Sequence, residues 1–146
     1  MFSSKLFDEK TFYKAFIKDL SNCTKEVIIE SPYITTARMS YLVPILKELL
    51  EQEVKIFIMT RDPKEHDETL EMQSESAILQ CEEMGIQVLL CTGNHHRKLA
   101  ILDRKILWEG SLNILSQTRS REIMRRIESK KLSLEMFNYL ELAQFI

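Results

Sequence analysis

Along this chain, helix-spaced apolar positions alternate with short apolar runs, and the alternation predicts the elements. Phe12, Ala15, Phe16 and Leu20 recur at helical spacing, which predicts a helix over residues 7–20 with Ser21 and Asn22 as its stop. Residues 27–31, Val-Ile-Ile-Glu-Ser, read as a buried strand ended by Pro32. From 39 to 53, Leu42, Ile45, Leu46, Leu49 and Leu50 form the stripe of an amphipathic helix. Pro44 falls near its expected start, where a missing N–H is best tolerated. Residues 54–59 alternate as a strand closed by Thr60-Arg61-Asp62-Pro63, and the polar, acid-rich residues 63–75 read as a loop before a helix over 71–84. Gly85 is the expected helix stop, followed by a strand over 86–91 and a turn at Thr92-Gly93-Asn94. A hairpin of 98–103 and 106–109 across Arg104-Lys105, a strand over 122–128 and a closing helix over 132–145 complete the pattern.

This order predicts an α/β fold: one domain over residues 1–146, with a mixed β-sheet flanked by helices on both faces and no internal repeat. The length suits one full core. The longest apolar runs are strand-sized, too short to cross a bilayer, and residues 1–9 turn acidic without an apolar leader core. The expectation is a cytoplasmic protein with no membrane association.

Cys23, Cys81 and Cys91 are odd in number and widely spaced, against a disulfide framework or a zinc site. His95 and His96 are adjacent, and neighbours on a strand point to opposite faces and rarely chelate one ion, so no metal is expected. The net charge of -2 hides an asymmetry. Residues 97–131 hold ten basic and four acidic side chains, a balance of +6, so the remainder carries -8. Such a sector either steers a polyanion or is a solvated charged face.

The sector surrounds the pattern H-x-K-x4-D-x6-G-S-x-N, formed by His96, Lys98, Asp103, Gly110, Ser111 and Asn113. Histidine can be a nucleophile or proton carrier near neutral pH, and lysine and asparagine can hold a phosphoryl oxygen, so the set points to phosphodiester chemistry. On a strand His96 and Lys98 share a face, about 6–7 Å apart, and both reach one phosphate. Asp103 has the opposite parity and is expected to hold local structure. Gly110 permits close backbone approach, while Ser111 and Asn113 share a face and can donate hydrogen bonds. A histidine that attacks phosphorus needs an acceptor on its far ring nitrogen; Glu122 is the candidate, the alternative being a surface glutamate balancing nearby arginines.

Tyr33, Arg38 and Arg61 follow strand ends, where α/β sites collect, or belong to ordinary loop packing. Arg119 and Arg121 either bind flanking phosphates or are solvated. His95 reads as a turn or surface residue, and Trp108 as core.

The six-position pattern resembles the HKD motif of the phospholipase D superfamily, which includes phospholipases, phosphatidyl transferases and nucleases. Ser31-Pro32-Tyr33-Ile34, Thr60-Arg61-Asp62-Pro63 and the stretch from Gly110 to Arg125 resemble the PLD-like domains of bacterial nucleases and of DNA helicases, a similarity running over residues 27–127. The resemblance implies the phospholipase D-like fold and a cofactor-free, metal-independent phosphodiesterase. In it His96 forms a covalent phosphohistidine, Lys98 and Asn113 clamp the phosphate, Ser111 supports them and Glu122 orients the histidine. Family active sites use two such motifs. This chain has one, at 96–113, so the resemblance implies a homodimer with a shared site at the two-fold axis. The leading expectation is a DNA endonuclease, with RNA as another substrate and a helicase or other DNA-processing protein as a partner. Two alternatives stand beside it. One is a PLD-like DNA-binding module of a repair or defence complex with little turnover. The other is a phospholipase, which needs an exposed apolar surface that the sequence does not display.

Overall fold

The computed structural model describes residues 3–116 and 119–146, so Met1 and Phe2 of the stretch read for a leader lie outside it. In chain order the elements are β1 (Ser3–Asp8), α1 (Phe12–Ser21), β2 (Glu26–Glu30), α2 (Thr36–Glu51), β3 (Lys55–Arg61), α3 (Glu68–Met84), β4 (Gln87–Cys91), β5 (Leu99–Leu102), β6 (Ile106–Gly110), β7 (Ile123–Glu128) and α4 (Lys130–Tyr139). Short 3-10 turns cover Pro63–Glu65 and Leu142–Gln144. One sheet forms in the order β1-β7-β6-β5-β2-β3-β4. Strands β2, β3 and β4 are parallel; β5, β6, β7 and β1 pair antiparallel. The expected α/β fold with a mixed sheet is therefore present.

Both faces of the sheet are covered. One core layer gathers Phe12, Phe16 and Leu20 of α1, Leu42, Leu46 and Leu49 of α2 and Ala77 of α3 around Trp108, which is fully buried. The other places Phe137 of α4 and Leu142 against Ile28, Phe57, Ile101 and Leu107. Buried aromatic and branched side chains of this kind each contribute about 1.5–3 kcal/mol. Trp108 meets Phe12 edge to face at 5.1 Å, and its indole N–H donates to Asp19 Oδ2 at 2.9 Å.

Several expected boundaries move. Residues 7 and 8 lie in β1, a strand the sequence reading missed, rather than in a helix. Its six residues are mostly exposed and held by their ladder to β7, and the Asp8 carboxylate then accepts the N–H groups of Lys10 and Thr11 to turn the chain into α1. Helix α2 starts at Thr36, capped by Thr35, so Pro44 is interior; it is exposed, where water can serve the carbonyl its ring leaves unbonded. Helix α3 starts three residues early because Asp67 accepts from Leu70 N–H, and it ends at Gly85 with φ +102°. Helix α4 ends at Tyr139 because Glu141 takes a left-handed φ of 54°.

Candidate active site

Because β5 runs antiparallel to β2, the segment leading into β5 lies beside the carboxyl ends of β2 and β3. That end of an open α/β sheet is where ligand sites collect. Strand β5 begins only at Leu99, so His96 and Lys98 lie in the lead-in and not on a strand as expected. Lys98, whose carbonyl accepts from Gly110 N–H at 3.4 Å, curls its side chain back. Its Nζ is 2.8 Å from His96 Nδ1 and donates to the His96 carbonyl at 2.9 Å, far closer than strand spacing allows. His96 is exposed. The Lys98 ammonium, with partial burial and the charges of Arg61 and His95, holds the His96 imidazole below its usual pKa. Partial burial also lowers Lys98; the nearby Glu122 carboxylate opposes that shift and Arg61 adds to it.

Arg61, at the end of β3, donates from Nε to the His95 carbonyl at 3.1 Å and from Nη1 to the Tyr33 hydroxyl at 3.4 Å. Tyr33 in turn stacks on His66, ring centroids 5.2 Å apart. Arg61 and Tyr33 thus join the His96 surroundings. Arg38 does not: its guanidinium lies 3.8 Å over the Tyr13 ring and 5.4 Å over Tyr41. Arg119 and Arg121 are exposed.

The Gly-Ser-x-Asn turn leaves β6 opposite Lys98. A Cβ on Gly110 would come within 2.2 Å of the Ile123 carbonyl oxygen and 2.9 Å of Met124 Cα, so only glycine fits. Ser111 fastens the turn to β7: its N–H donates to the Ile123 carbonyl and its Oγ accepts from Ile123 N–H, both at 3.0 Å. Beyond it, Leu115 N–H donates to Ser31 Oγ, and Tyr13 Oη donates to the Ile114 carbonyl at 2.7 Å. Asn113 Oδ1 is buried without a partner, a polar group held for something. Glu122 lies close enough to Lys98 to act on its charge, while its own N–H donates to Glu9 Oε1 at 2.8 Å. Among the described residues no hydrogen bond joins Glu122 to His96.

Asp103 sits at the far end of β5. Asp103 and Arg104 both take left-handed backbone, φ 53° and 52°, as a tight hairpin requires. The Asp103 carboxylate accepts from the N–H groups of Thr24, Lys25 and Glu26, each at 2.9 Å.

Two expectations need correction. His95 is no surface residue: its side chain is 7% exposed and its Nε2 lies 3.1 Å from Oε1 of Glu30, itself fully buried. The clue was a glutamate at the end of an apolar run. The basic sector is also partly neutralised from outside, since Arg97 pairs with Glu30, Arg104 with Glu26 and Arg126 with Asp19. A groove of about 730 Å³ beside His96 and Lys98 is rimmed by exposed Leu6, Ile123 and Tyr139, apolar surface that the sequence did not reveal. Among the described residues no helix is long and apolar enough to cross a membrane, and no three His, Cys, Asp or Glu side chains group as metal ligands.

A protein-family profile described as cardiolipin synthase, PLD-like domain, matches residues 16–142. The chain belongs to the phospholipase D superfamily. Its fold is that of superfamily members of known structure. It is similar to Nuc from Salmonella typhimurium, a phospholipase D family member, at 14% identity and a TM-score of 0.79 over 97% of this chain and 93% of that one. NucT from Helicobacter pylori is 20% identical, with a TM-score of 0.70 over 97% and 94% of the two chains. Phosphatidylserine synthase from Haemophilus influenzae Rd KW20 is 19% identical, with a TM-score of 0.72; 99% of this chain matches 39% of that one. No curated protein matches the chain.

Proposed function

We propose that the protein is a homodimeric phosphodiesterase that cleaves DNA through a covalent phosphohistidine, without a required metal. The observation that carries this reading is the His96–Lys98 contact at 2.8 Å, exposed at the carboxyl end of the parallel strands and flanked by Arg61. An imidazole with a lowered pKa stays neutral, and so nucleophilic, below the usual histidine range. When a phosphodiester enters, Lys98 turns from the ring to a non-bridging oxygen, with Arg61 and the Asn113 amide as further donors. His96 Nδ1 then needs an acceptor for its proton, and Glu122, whose carboxylate already acts on the Lys98 charge, is the acceptor in this reading.

His96 Nε2 attacks phosphorus, a P–N bond forms, and the P–O bond to the leaving alkoxide breaks. A second histidine gives the alkoxide its proton and then takes one from the water that hydrolyses the P–N bond. One chain carries one such histidine, so the second is His96 of another copy. The exposed Leu6, Ile123 and Tyr139 beside the groove supply apolar surface for that copy. The fold shared with Nuc and NucT, each covered over more than nine tenths of its length, supports the nuclease reading over the phospholipase one.

The test is incubation with single- and double-stranded DNA in EDTA, beside sedimentation of the free protein. Wild type cleaves, His96→Ala does not, and the protein sediments as a dimer. Undiminished cleavage by His96→Ala overturns the mechanism. Tight, salt-sensitive DNA binding with no cleavage and no trapped phosphoenzyme replaces it with a binding module.

A further inference from the structure

The His96 segment belongs to no strand, yet its neighbours on both sides reach for one atom. Oε1 of Glu30 is 2.9 Å from Arg97 Nε and 3.1 Å from His95 Nε2. Glu30 is fully buried at the last position of β2, and its other oxygen, Oε2, is buried with no partner. The histidine ring is not aligned for a hydrogen bond to it either, so that contact is one of proximity, and the hydrogen-bonded ion pair is the one with Arg97. The Arg97 ion pair offsets only part of the cost of burying this carboxylate. A buried carboxylate with one bare oxygen carries a desolvation cost that an apolar side chain at the end of Val27-Ile28-Ile29 would avoid. Polar groups kept buried at such a cost repay scrutiny as parts of a functional site.

We propose that Glu30 is a positioning residue for the His96 nucleophile. Gripping residues 95 and 97 together, its carboxylate fixes the backbone between them and so the direction in which the His96 ring leaves the chain. Arg61 completes the clamp by holding the His95 carbonyl at 3.1 Å. Glu30 touches neither substrate nor His96 itself; it acts through its two flanking partners. The proposal rests on the reading of His96 as the reacting group. It adds why a segment without strand pairing holds its nucleophile in one place, which catalysis requires to within fractions of an ångström.

The variant that tests it is Glu30→Gln in the full chain, which keeps the side-chain shape and one acceptor oxygen while removing the charge. Folding is followed by circular dichroism, turnover on bis-(4-nitrophenyl) phosphate, and His96 by the NMR titration of its ring. With the fold retained, kcat falls about tenfold or more while KM holds, as expected for a displaced nucleophile. The titration supplies a sign that a structural or purely electrostatic role does not share. Removing a negative charge from the neighbourhood can only lower the pKa of His96. Releasing His96 from its place beside the Lys98 ammonium raises it. A midpoint that rises supports the proposal; a midpoint that stays or falls, with kcat unchanged, overturns it. If Glu30→Gln does not fold, Arg97→Met, at a half-exposed side chain, loosens the same clamp from the other end. Losing a positive charge raises the His96 midpoint by itself, so for this variant the kinetics alone are read, a fall in kcat at held KM supporting the proposal and an unchanged kcat overturning it. Should the wild type show no turnover at all, the phosphodiesterase reading fails while the titration still decides the clamp.

Discussion

Asp103 is the motif residue whose substitution separates folding from chemistry. Its Oδ1 accepts from Lys25 and Glu26 and its Oδ2 from Thr24, tying the hairpin to the start of β2. Asp103→Asn keeps one carbonyl oxygen and sets an amide N–H2 against the Thr24 N–H, donor against donor. A hydrogen bond to a charged acceptor contributes about 1.5–3 kcal/mol, and the two that remain weaken once the charge is gone. Thr24 and Lys25 are exposed, so water recovers part of the loss and the lower end applies, about 2 kcal/mol. For 146 residues an unfolding entropy of about 2.1 cal/mol/K each converts this to a fall of about 6–7 °C in Tm. Burial pushes the Asp103 carboxyl up, but the three backbone N–H groups outweigh it and leave it below the usual aspartate range. A depressed carboxyl stabilises the fold at neutral pH, and that stabilisation disappears as pH falls through the folded pKa. The Tm gap between wild type and Asp103→Asn, read by circular dichroism, is therefore full at pH 7 and narrows below about pH 4. Turnover per folded molecule stays essentially intact, because Asp103 lies five residues from Lys98, about 16 Å along an extended chain. Lost turnover at unchanged Tm, or a gap that widens in acid, refutes this reasoning.

Gly110→Ala drives a Cβ into the Ile123 carbonyl oxygen and Met124, backbone atoms of β7 that cannot step aside. The expected loss is about 2–3 kcal/mol, read as a lower urea midpoint at unchanged m. Lys98→Met removes the ammonium from the His96 ring. The acid limb of kcat/KM then moves to higher pH, and kcat falls on the order of a hundredfold or more; a limb that stays where it was means that the contact does not exist in solution.

The elements with internal signals were legible in the sequence. The stripes of α1 and α2, the αL stop at Gly85 and the apolar runs of β2, β3 and β4 all report their own period and punctuation. Strand β1 carried no such signal, since Ser-Ser-Lys-Leu-Phe-Asp is neither alternating nor buried and is a strand only because β7 offers its edge. The start of α3 was hidden by polar composition, although Asp67 and Glu71 are what a capped first turn contains. In the site, the spacing of His96 and Lys98 conveyed their company but not their geometry, because strand parity does not govern residues that lie outside the strand. Glu30, His95 and Tyr33 converge through the sheet order, with β2 beside both β3 and β5, and no local pattern encodes that adjacency.

The pairing of β1 with β7, at opposite ends of the chain, has a consequence for how the molecule assembles. The parallel half, residues 26–91, is built from neighbours in sequence, each strand joined to the next by a single helix. Strand β1 must wait for β7, and pairing Asp8 with Ile123 closes a loop over residues 9–122 at an entropic cost of about 4 kcal/mol. Set against that cost are the six-residue ladder to β7 and Phe7, whose ring centroid lies 5.0 Å from that of Trp108, and these are what keep β1 at the sheet edge. Each departure bares the backbone of β7, whose Ile123 and Arg125 border the groove of His96. An open edge accepts any chain that matches its register, and the residues 3–8 of another molecule match it as well as its own. Concentrated solutions of this protein are thus exposed to strand exchange at the border of the groove itself.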